Sequence, residues 1–432
     1  MLKEIKEYWQ THGGEYTLRR GLDKTVQRLF GVEDRAWRRQ QPPEAELDRQ
    51  RKHEPAGGLI SVVIPVFNTD PRMLRGLLNS LKAQTYSRWE AVLYDGASDR
   101  EDTLRILKEA GDERFIVIHG KENRGIAGNT NAGIAAARGA YIALCDHDDL
   151  LSPEALWRVA EEIERSAPDM IYSDEDRITE NGNRHMDPHW KPDYCPVSLL
   201  TANYICHLSV IRAEVLRKIG GLRDGFDGSQ DHDLFLRVTE ITERIAHVPC
   251  TLYSWRDVGS SMSHRNLWQC LENGCRAVEE HEEHMGYRVT AVPVNKEIRL
   301  WYEIHRNVTI DVLLFGEGED ACEEGWYELN ARTLFPGLSV KRIPSGTEHL
   351  AERLNEAAAD SSADYLLMMD ADIWGMNRHF LRELLMYAQR KEVAAVTPVL
   401  MDRRRRITHG GFALGMEGGA QCVNEGLFDG ME

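Results

Sequence analysis

The sequence predicts an α/β protein: a mostly parallel sheet with helices on both faces, followed by a shortened second α/β module. Three observations predict it. Between residues 59 and 145, short apolar runs alternate with helical patterns at the spacing of βαβ units. The stretch from Asn131 to Asp146 is echoed from Asn355 to Asp370 with the same interval, and each copy has another Asp two residues on, at Asp148 and Asp372. The chain's 432 residues also exceed the size at which single cores stop growing.

The elements follow in order. Leu18, Leu22, Val26 and Leu29 share one helical face, with Arg19, Arg20, Lys24 and Arg28 elsewhere on the turn. This fits a helix docked on the main domain or a basic helix resting on anionic lipid. Arg38 to Gly58, polar and carrying Pro42-Pro43, reads as a linker, so residues 1–58 are expected to be a helical extension and linker. Ile60–Ile64 is a buried strand. Thr69-Asp70-Pro71 starts a helix, with Leu74, Leu77, Leu78 and Leu81 on its apolar face. Trp89–Tyr94 and Phe115–Ile118 are two further strands. Gly125 to Arg138 is an alanine-rich helix, and Tyr141–Cys145 is the fourth strand. Residues 59–300 are expected to form the first domain and 301–432 a partial second copy. The interval from Ile310 to Asn355 is shorter than that from Ser61 to Asn131, so one βα unit is missing from it.

Composition excludes several classes. No apolar run approaches the ~18 residues of a membrane span. The start, Met1-Leu-Lys-Glu, lacks an apolar signal region, so a cytoplasmic protein is expected. The net charge of −17 argues against nucleic acid as a general partner. The eight cysteines form no Cys-x-x-Cys pair, which leaves them as small buried hydrophobes. There is no Gly-x-Gly-x-x-Gly after the first strand and no Walker sequence, which weighs against dinucleotide oxidoreductases and P-loop NTPases.

Asp146-His147-Asp148-Asp149 follows the fourth strand, where open α/β sheets bind ligands. Carboxylates this close repel one another unless a cation neutralises them. Mg²⁺ and Mn²⁺ favour one or two carboxylates plus phosphate oxygens, so a metal–diphosphate site is one reading. A solvated acidic turn, with Asp149 capping the next helix, is the other. Three more polar features fall on the same rim: Pro65-Val-Phe67-Asn68, Asp95, and Asn123-Arg-Gly125 with Asn129 and Asn131.

Together these motifs resemble family 2 glycosyltransferases, over roughly residues 59–290. Ser61-Val-Val-Ile-Pro-Val-Phe-Asn68 is similar to the family's opening strand and loop. Asp95-Gly-Ala-Ser-Asp99 is similar to its Asp-Gly-Ser-x-Asp turn, and Asn123-Arg-Gly-Ile-Ala-Gly-Asn-Thr-Asn131 to its Asn-x-Gly…Asn segment. Asp146-His-Asp148 matches Asp-x-Asp, and Gly228-Ser-Gln-Asp231-His-Asp233-Leu resembles the Glu-Asp-x-Asp-Leu segment. Tyr253-Ser-Trp-Arg256 resembles a Tyr-His-Trp-Arg segment, with Ser254 in place of the usual His.

The resemblance implies a GT-A fold and an inverting, metal-dependent transferase using a nucleoside-diphosphate sugar, with Mn²⁺ or Mg²⁺. It assigns Pro65, Phe67, Asn68, Asp95, Asn123, Gly125, Asn131, Asp146 and Arg256 to the donor. Within that set Asp95 meets the nucleobase and Asp146 the ribose and metal. Asp148 is the metal ligand and Asp231 the catalytic base. Members similar to this chain include bacterial O-antigen and rhamnosyl-type transferases. The implied partners are a glycan or lipid-linked acceptor of surface polysaccharide synthesis and, with it, peripheral attachment at the inner face of the plasma membrane.

The chemistry of the residues agrees. The leaving diphosphate needs a cation, and the acceptor hydroxyl needs one base across the sugar. Asp231 precedes the apolar helical run Leu234–Val238, whose dipole favours a carboxylate there; a plain helix N-cap is its alternative reading. Asp233 is a rival base or an acceptor contact. Trp190 and Tyr194, in an aromatic and polar stretch, are candidate acceptor platforms or ordinary packing. His207 and His264 are candidates to approach the metal or phosphates, or structural histidines. The second copy has no later Asp-x-Asp-Leu segment, so it is expected not to catalyse. Two rival functions are a sugar nucleotidyltransferase, which needs a Gly-rich basic loop absent after the first strand, and a non-catalytic glycan-binding scaffold.

Overall fold

The computed structural model describes the backbone of residues 32–257, 266–294, 296–304, 307–333, 335–345, 349–404, 406–409, 412–416 and 419–422. The helix expected around Leu18–Leu29, and His264, lie outside these. The described residues divide into two compact units that meet in sequence at Leu300 and Trp301.

The first unit holds α1 (Val32–Gln40), α2 (Glu44–Lys52), β1 (Ile60–Val66), α3 (Pro71–Lys82), β2 (Trp89–Asp95), α4 (Glu101–Lys108), β3 (Phe115–His119), α5 (Gly125–Ala136) and β4 (Tyr141–Leu144). Then come β5 (Leu150–Leu151), α6 (Ala155–Ser166), β6 (Met170–Ile178), β7 (His185–His189), α7 (Pro196–Thr201), β8 (Ser209–Arg212), α8 (Ala213–Ile219), α9 (Gln230–Thr239), β9 (Ile245–Arg256) and α10 (Leu267–His284). One sheet runs β3-β2-β1-β4-β8-β6-β9-β5, with β7 on β6. Its first four strands are parallel, so their carboxyl ends share one rim. β8 is antiparallel to β4 and to β6, while β6 and β9 are parallel, which makes the sheet mixed.

The α/β class follows from the sequence pattern. β1 and β2 are buried at every position, as strands covered on both faces must be. α3 begins where Asp70 accepts the Arg72 N–H at 2.8 Å and Pro71 fixes the first turn. Its buried face, Leu74, Leu77, Leu78 and Leu81, joins Ile60, Ile64 and Leu93 in the core.

Arg38–Gly58 corrects the expectation of a linker. It ends α1 and forms α2, and α2 is bolted to the core. Gln50 is fully buried, donating to Glu154 at 3.0 Å and accepting from Thr85 at 2.8 Å. A buried amide needs both partners, and those partners lie in distant sequence that local composition does not reveal. α1 covers the β7 edge: Glu33 and Asp34 accept the backbone N–H groups of Asp187 and His185, and Trp37 stacks on His185 at 3.4 Å.

The hairpin β10 (Val289–Val294) and β11 (Glu297–Tyr302) leads into the second unit. That unit contains β12 (Ile310–Glu317), α11 (Gly318–Arg332), β13 (Leu338–Ser345), α12 (Leu350–Ala359), β14 (Tyr365–Asp370) and α13 (Phe380–Ala388). Its parallel sheet runs β13-β12-β14. This is the β2-β1-β4 order of the first unit without a counterpart of α4 and β3. Small antiparallel pairs follow, β15 (Leu400–Met401) with β16 (Ile407–His409) and β17 (Phe412–Met416) with β18 (Gly419–Cys422). The described cysteines with placed side chains are free. No described helix is long and apolar enough to cross a membrane.

The antiparallel half is stitched by Asp169, just before β6. Its carboxylate accepts from Arg212 at 2.8 Å, Thr242 at 2.6 Å and Arg244 at 2.6 Å. Burial raises its pKa, but these donors outweigh burial and hold it below 3.8. A lowered carboxyl stabilises the fold fully above the unfolded value and loses that contribution as pH falls through the folded value. Asp169→Asn is therefore expected to cost about 1–3 kcal/mol at neutral pH. Denaturant titrations across pH should show the gap to the native chain closing below 3.8.

Candidate functional site

The acidic turn after β4 is held from behind. Asp149 is fully buried; one oxygen accepts the Tyr253 hydroxyl at 2.6 Å and the other the Arg256 N–H at 2.7 Å. The Tyr253 hydroxyl also accepts the Asp146 N–H at 3.1 Å, and Arg256 Nε donates to the Asp148 carbonyl at 2.6 Å. Burial and the neighbouring Asp148 and Asp146 push the Asp149 carboxyl well above the usual range. The two outer carboxylates remain partly open, with Asp146 33% and Asp148 21% exposed.

His207 faces them. Its ring stacks on Tyr253 at 4.7 Å, and its Nε2 is 3.5 Å from Asp146 Oδ2. Burial lowers its pKa, but Asp146 outweighs burial and lifts it to about 9. Burial likewise raises Asp146, and His207 more than offsets it, leaving Asp146 below its ordinary value. Asp148 is raised by burial, with Asp146 adding to it and His147 opposing.

Asp231 sits in the first turn of α9, which begins at Gln230, earlier than the apolar pattern suggests. The carboxylate is half-buried. It accepts the His232 N–H at 2.9 Å and the Asn203 side-chain amide at 2.9 Å. Asn203 in turn accepts the Cys206 N–H at 3.3 Å, and His207 follows directly. Four residues of chain span at most about 14 Å. Asn203 and His207 therefore tie Asp231 and Asp146 to the two ends of one short bridge. Sequence reasoning did not find Asn203; no motif residue marks it.

Asp95 lies two strands from β4 on the same rim, about 10 Å away by strand spacing. It is 2% exposed; one oxygen accepts the Ser98 N–H at 3.0 Å and the other meets His119 Nδ1 at 2.8 Å. Phe67, on the loop after β1, is 42% exposed. Asn123 and Gly125 are exposed at the start of α5; Asn123 Oδ1 accepts the Gly125 N–H at 3.0 Å and the Asn129 amide at 2.8 Å.

Several residues expected at the donor also bond within their own chain. Pro65 is buried within β1. Asn68 clamps the next loop, donating to Asp99 at 2.8 Å and accepting the Asp99 and Arg100 N–H groups, both at 3.0 Å. Asn131 clasps the Leu222 backbone through both amide ends, at 2.8 and 2.9 Å. A Cβ on Gly221 would lie 2.3 Å from its oxygen, so that clasp requires glycine there. Arg256 is 7% exposed and directs its guanidinium at the Asp148 and Glu180 carbonyls. Asp233 is 1% exposed and paired with Arg223 and Arg237, which removes it as a base or acceptor contact. Tyr194 is close to Thr239, at the end of α9 opposite Asp231, and burial pushes its hydroxyl up to about 12. Trp190 is open, at 62% exposed.

The donor set fits a hard cation carried by a phosphate ligand. Among the described residues no three His, Cys, Asp or Glu side chains converge as a protein cage. Asp148, with Asp146 beside it, supplies the one or two carboxylates that Mg²⁺ or Mn²⁺ takes when phosphates complete its shell. Each has a histidine beside it, His207 at 3.5 Å from Asp146 and His147 at 3.7 Å from Asp148. Tyr253→Phe should unhook Asp149 and is expected to cost about 1–3 kcal/mol, read as a lower chemical-denaturation midpoint with unchanged slope.

Residues 61–220 match the model of glycosyl transferase family 2. A Sinorhizobium fredii protein, y4gI, is 34% identical over 413 residues, covering 87% of this chain and 45% of the relative. The O-antigen biosynthesis protein RfbC of Myxococcus xanthus is 32% identical over 393 residues, covering 83% and 31%. The chain thus spans less than half the length of either relative. S. aureus TarS 1-349 in complex with UDP-GlcNAc aligns over 51% of this chain and 66% of its own, at 18% identity and a TM-score of 0.44. The chain belongs to glycosyl transferase family 2, which it joins through residues 61–220.

Proposed function

We propose that the first unit is an inverting, metal-dependent glycosyltransferase. It moves a sugar from a nucleoside diphosphate to a glycan or lipid-linked acceptor in surface polysaccharide synthesis. The observation that carries this reading is the Asn203–His207 bridge, which sets one half-buried carboxylate opposite an acidic, ligand-accessible turn. In this reading Asp231 accepts the proton of the acceptor hydroxyl as that oxygen attacks the anomeric carbon. The bond from that carbon to the diphosphate oxygen breaks on the far side, and the configuration inverts. Asn203 holds the base in register, and the His207 imidazole lies beside Asp146. Asp146 and Asp148 would hold Mn²⁺ or Mg²⁺, which neutralises charge on the diphosphate. Phe67, Asp95 and Asn123 receive the nucleoside end, and Trp190 offers an open face to acceptor glycan. A donor of this type is cytoplasmic, and a lipid-linked acceptor would draw the protein to the inner face of the membrane.

The RfbC likeness supports a polysaccharide role. The second unit is proposed to be non-catalytic, because its sheet lacks the β3 counterpart that flanks Asp95 in the first.

Asp231→Asn is expected to keep nucleotide and Mn²⁺ affinity in calorimetry while transfer falls ~10²–10⁴-fold; a variant that turns over like the native chain rejects the assigned base. Asp372→Ala is expected to leave transfer within about twofold, since a surface substitution away from the site changes little. A collapse in its rate would place part of the reaction in the second unit.

A further inference from the structure

The loop 203–207 joins Asp231, through Asn203, to Asp146, through His207. Its own backbone does not favour the shape it takes. Cys206 has a φ of 40°, in the left-handed region that a residue with a Cβ seldom occupies. Such a conformation persists only where the surroundings hold it. One side chain holds this loop on both sides of Cys206. The Lys191 side chain is 0% exposed, and its ammonium donates to the Ile205 carbonyl at 2.6 Å and to the His207 carbonyl. It also lies 3.2 Å from Glu175 Oε2, and that same oxygen accepts the His207 N–H at 3.0 Å. An ammonium has three donors, so these three partners use them all and none is left for a ligand. Lys191 is anchored in turn by Asp174, which accepts its backbone N–H at 2.9 Å.

We propose that Lys191 is a positioning residue for sugar transfer. It fixes the loop 203–207 and, through Asn203, sets where Asp231 stands relative to the acidic turn. This rests on the transferase reading above. A base works only within hydrogen-bond reach of the proton it takes, and a shift of about 1 Å can cost ~10²-fold in rate. The ion pair itself adds little net stability, because desolvation offsets its attraction. Removing Lys191 alone strands the Glu175 charge in the interior, whereas removing both charges together does not. Lys191→Met combined with Glu175→Gln therefore separates positioning from folding.

The test uses the full chain with Mn²⁺ and four donors: UDP-glucose, UDP-N-acetylglucosamine, dTDP-rhamnose and GDP-mannose. Release of nucleoside diphosphate gives kcat with water as the acceptor, calorimetry gives nucleoside-diphosphate affinity, and mass spectrometry gives amide hydrogen exchange. The paired variant is expected to melt cooperatively, to bind nucleoside diphosphate within about threefold of native, and to lose at least about tenfold in kcat. Exchange at 203–207 should quicken at least about tenfold, with the core strands unchanged. In an Asn203→Ala background the same paired change should lower kcat by less than about twofold, since the link to Asp231 is already cut. Lys191→Arg keeps the charge beside Glu175 and alters only where the donors point, so it should fall between native and the pair; it carries the test if the pair does not fold. Unchanged exchange at 203–207, or an equal loss of kcat in both backgrounds, overturns the role of Lys191 and leaves the transferase reading intact. Native chain that binds no nucleoside diphosphate and turns over no donor overturns both.

Discussion

Three carboxyl groups within one turn repel each other, and the site exists because that repulsion is managed by burial of the third. Asp149 is removed from water and held between the Tyr253 hydroxyl and the Arg256 backbone. Burial and the neighbouring Asp148 and Asp146 raise its carboxyl. Asp146 and Asp148 are left as the pair that faces outward. The strand that supplies Tyr253 and Arg256 is the long β9, so the geometry of the acidic turn depends on a segment more than a hundred residues away.

The same logic extends to Asp231. The bridge from Asn203 to His207 is itself braced from below by a buried ion pair. Lys191 is 3.2 Å from Glu175 and donates to the Ile205 carbonyl at 2.6 Å, while Glu175 accepts the His207 N–H at 3.0 Å. Burial raises the Glu175 carboxyl, but His189 and Lys191 outweigh it and keep it low. A buried pair contributes little net stability, because desolvation offsets attraction. What it does here is fix where a short loop lies, and that loop sets the spacing of Asp146 and Asp231.

The second unit repeats the β2-β1-β4 arrangement and the acidic tip, with fewer strands around the tip among the described residues. Asp370 ends the edge strand β14 and Asp372 lies in the turn after it; both are exposed, and the Asp372 N–H donates to Asp370 at 2.9 Å. β14 has no further strand beside it among the described residues, whereas β4 is flanked by β8. An acidic turn with open water around it needs no cation to relieve its charge.

The alternation of strand and helix, the shared rim and the positions of Asp95, Asp146 and Asp231 were legible in the string of residues. Apolar period and turn chemistry act over a few residues, and local signals carry them. Several polar residues could not be sorted in that way. Asn131, Arg256 and Asp233 look like ligand contacts by position and type, and the fold gives each a partner within the chain, at Leu222, Asp148 and Arg223. Asn203, which donates to Asp231, carries no motif. Whether a side chain points at a ligand or at its own protein depends on which distant groups need a hydrogen bond once water is gone, and only the folded chain brings those groups together.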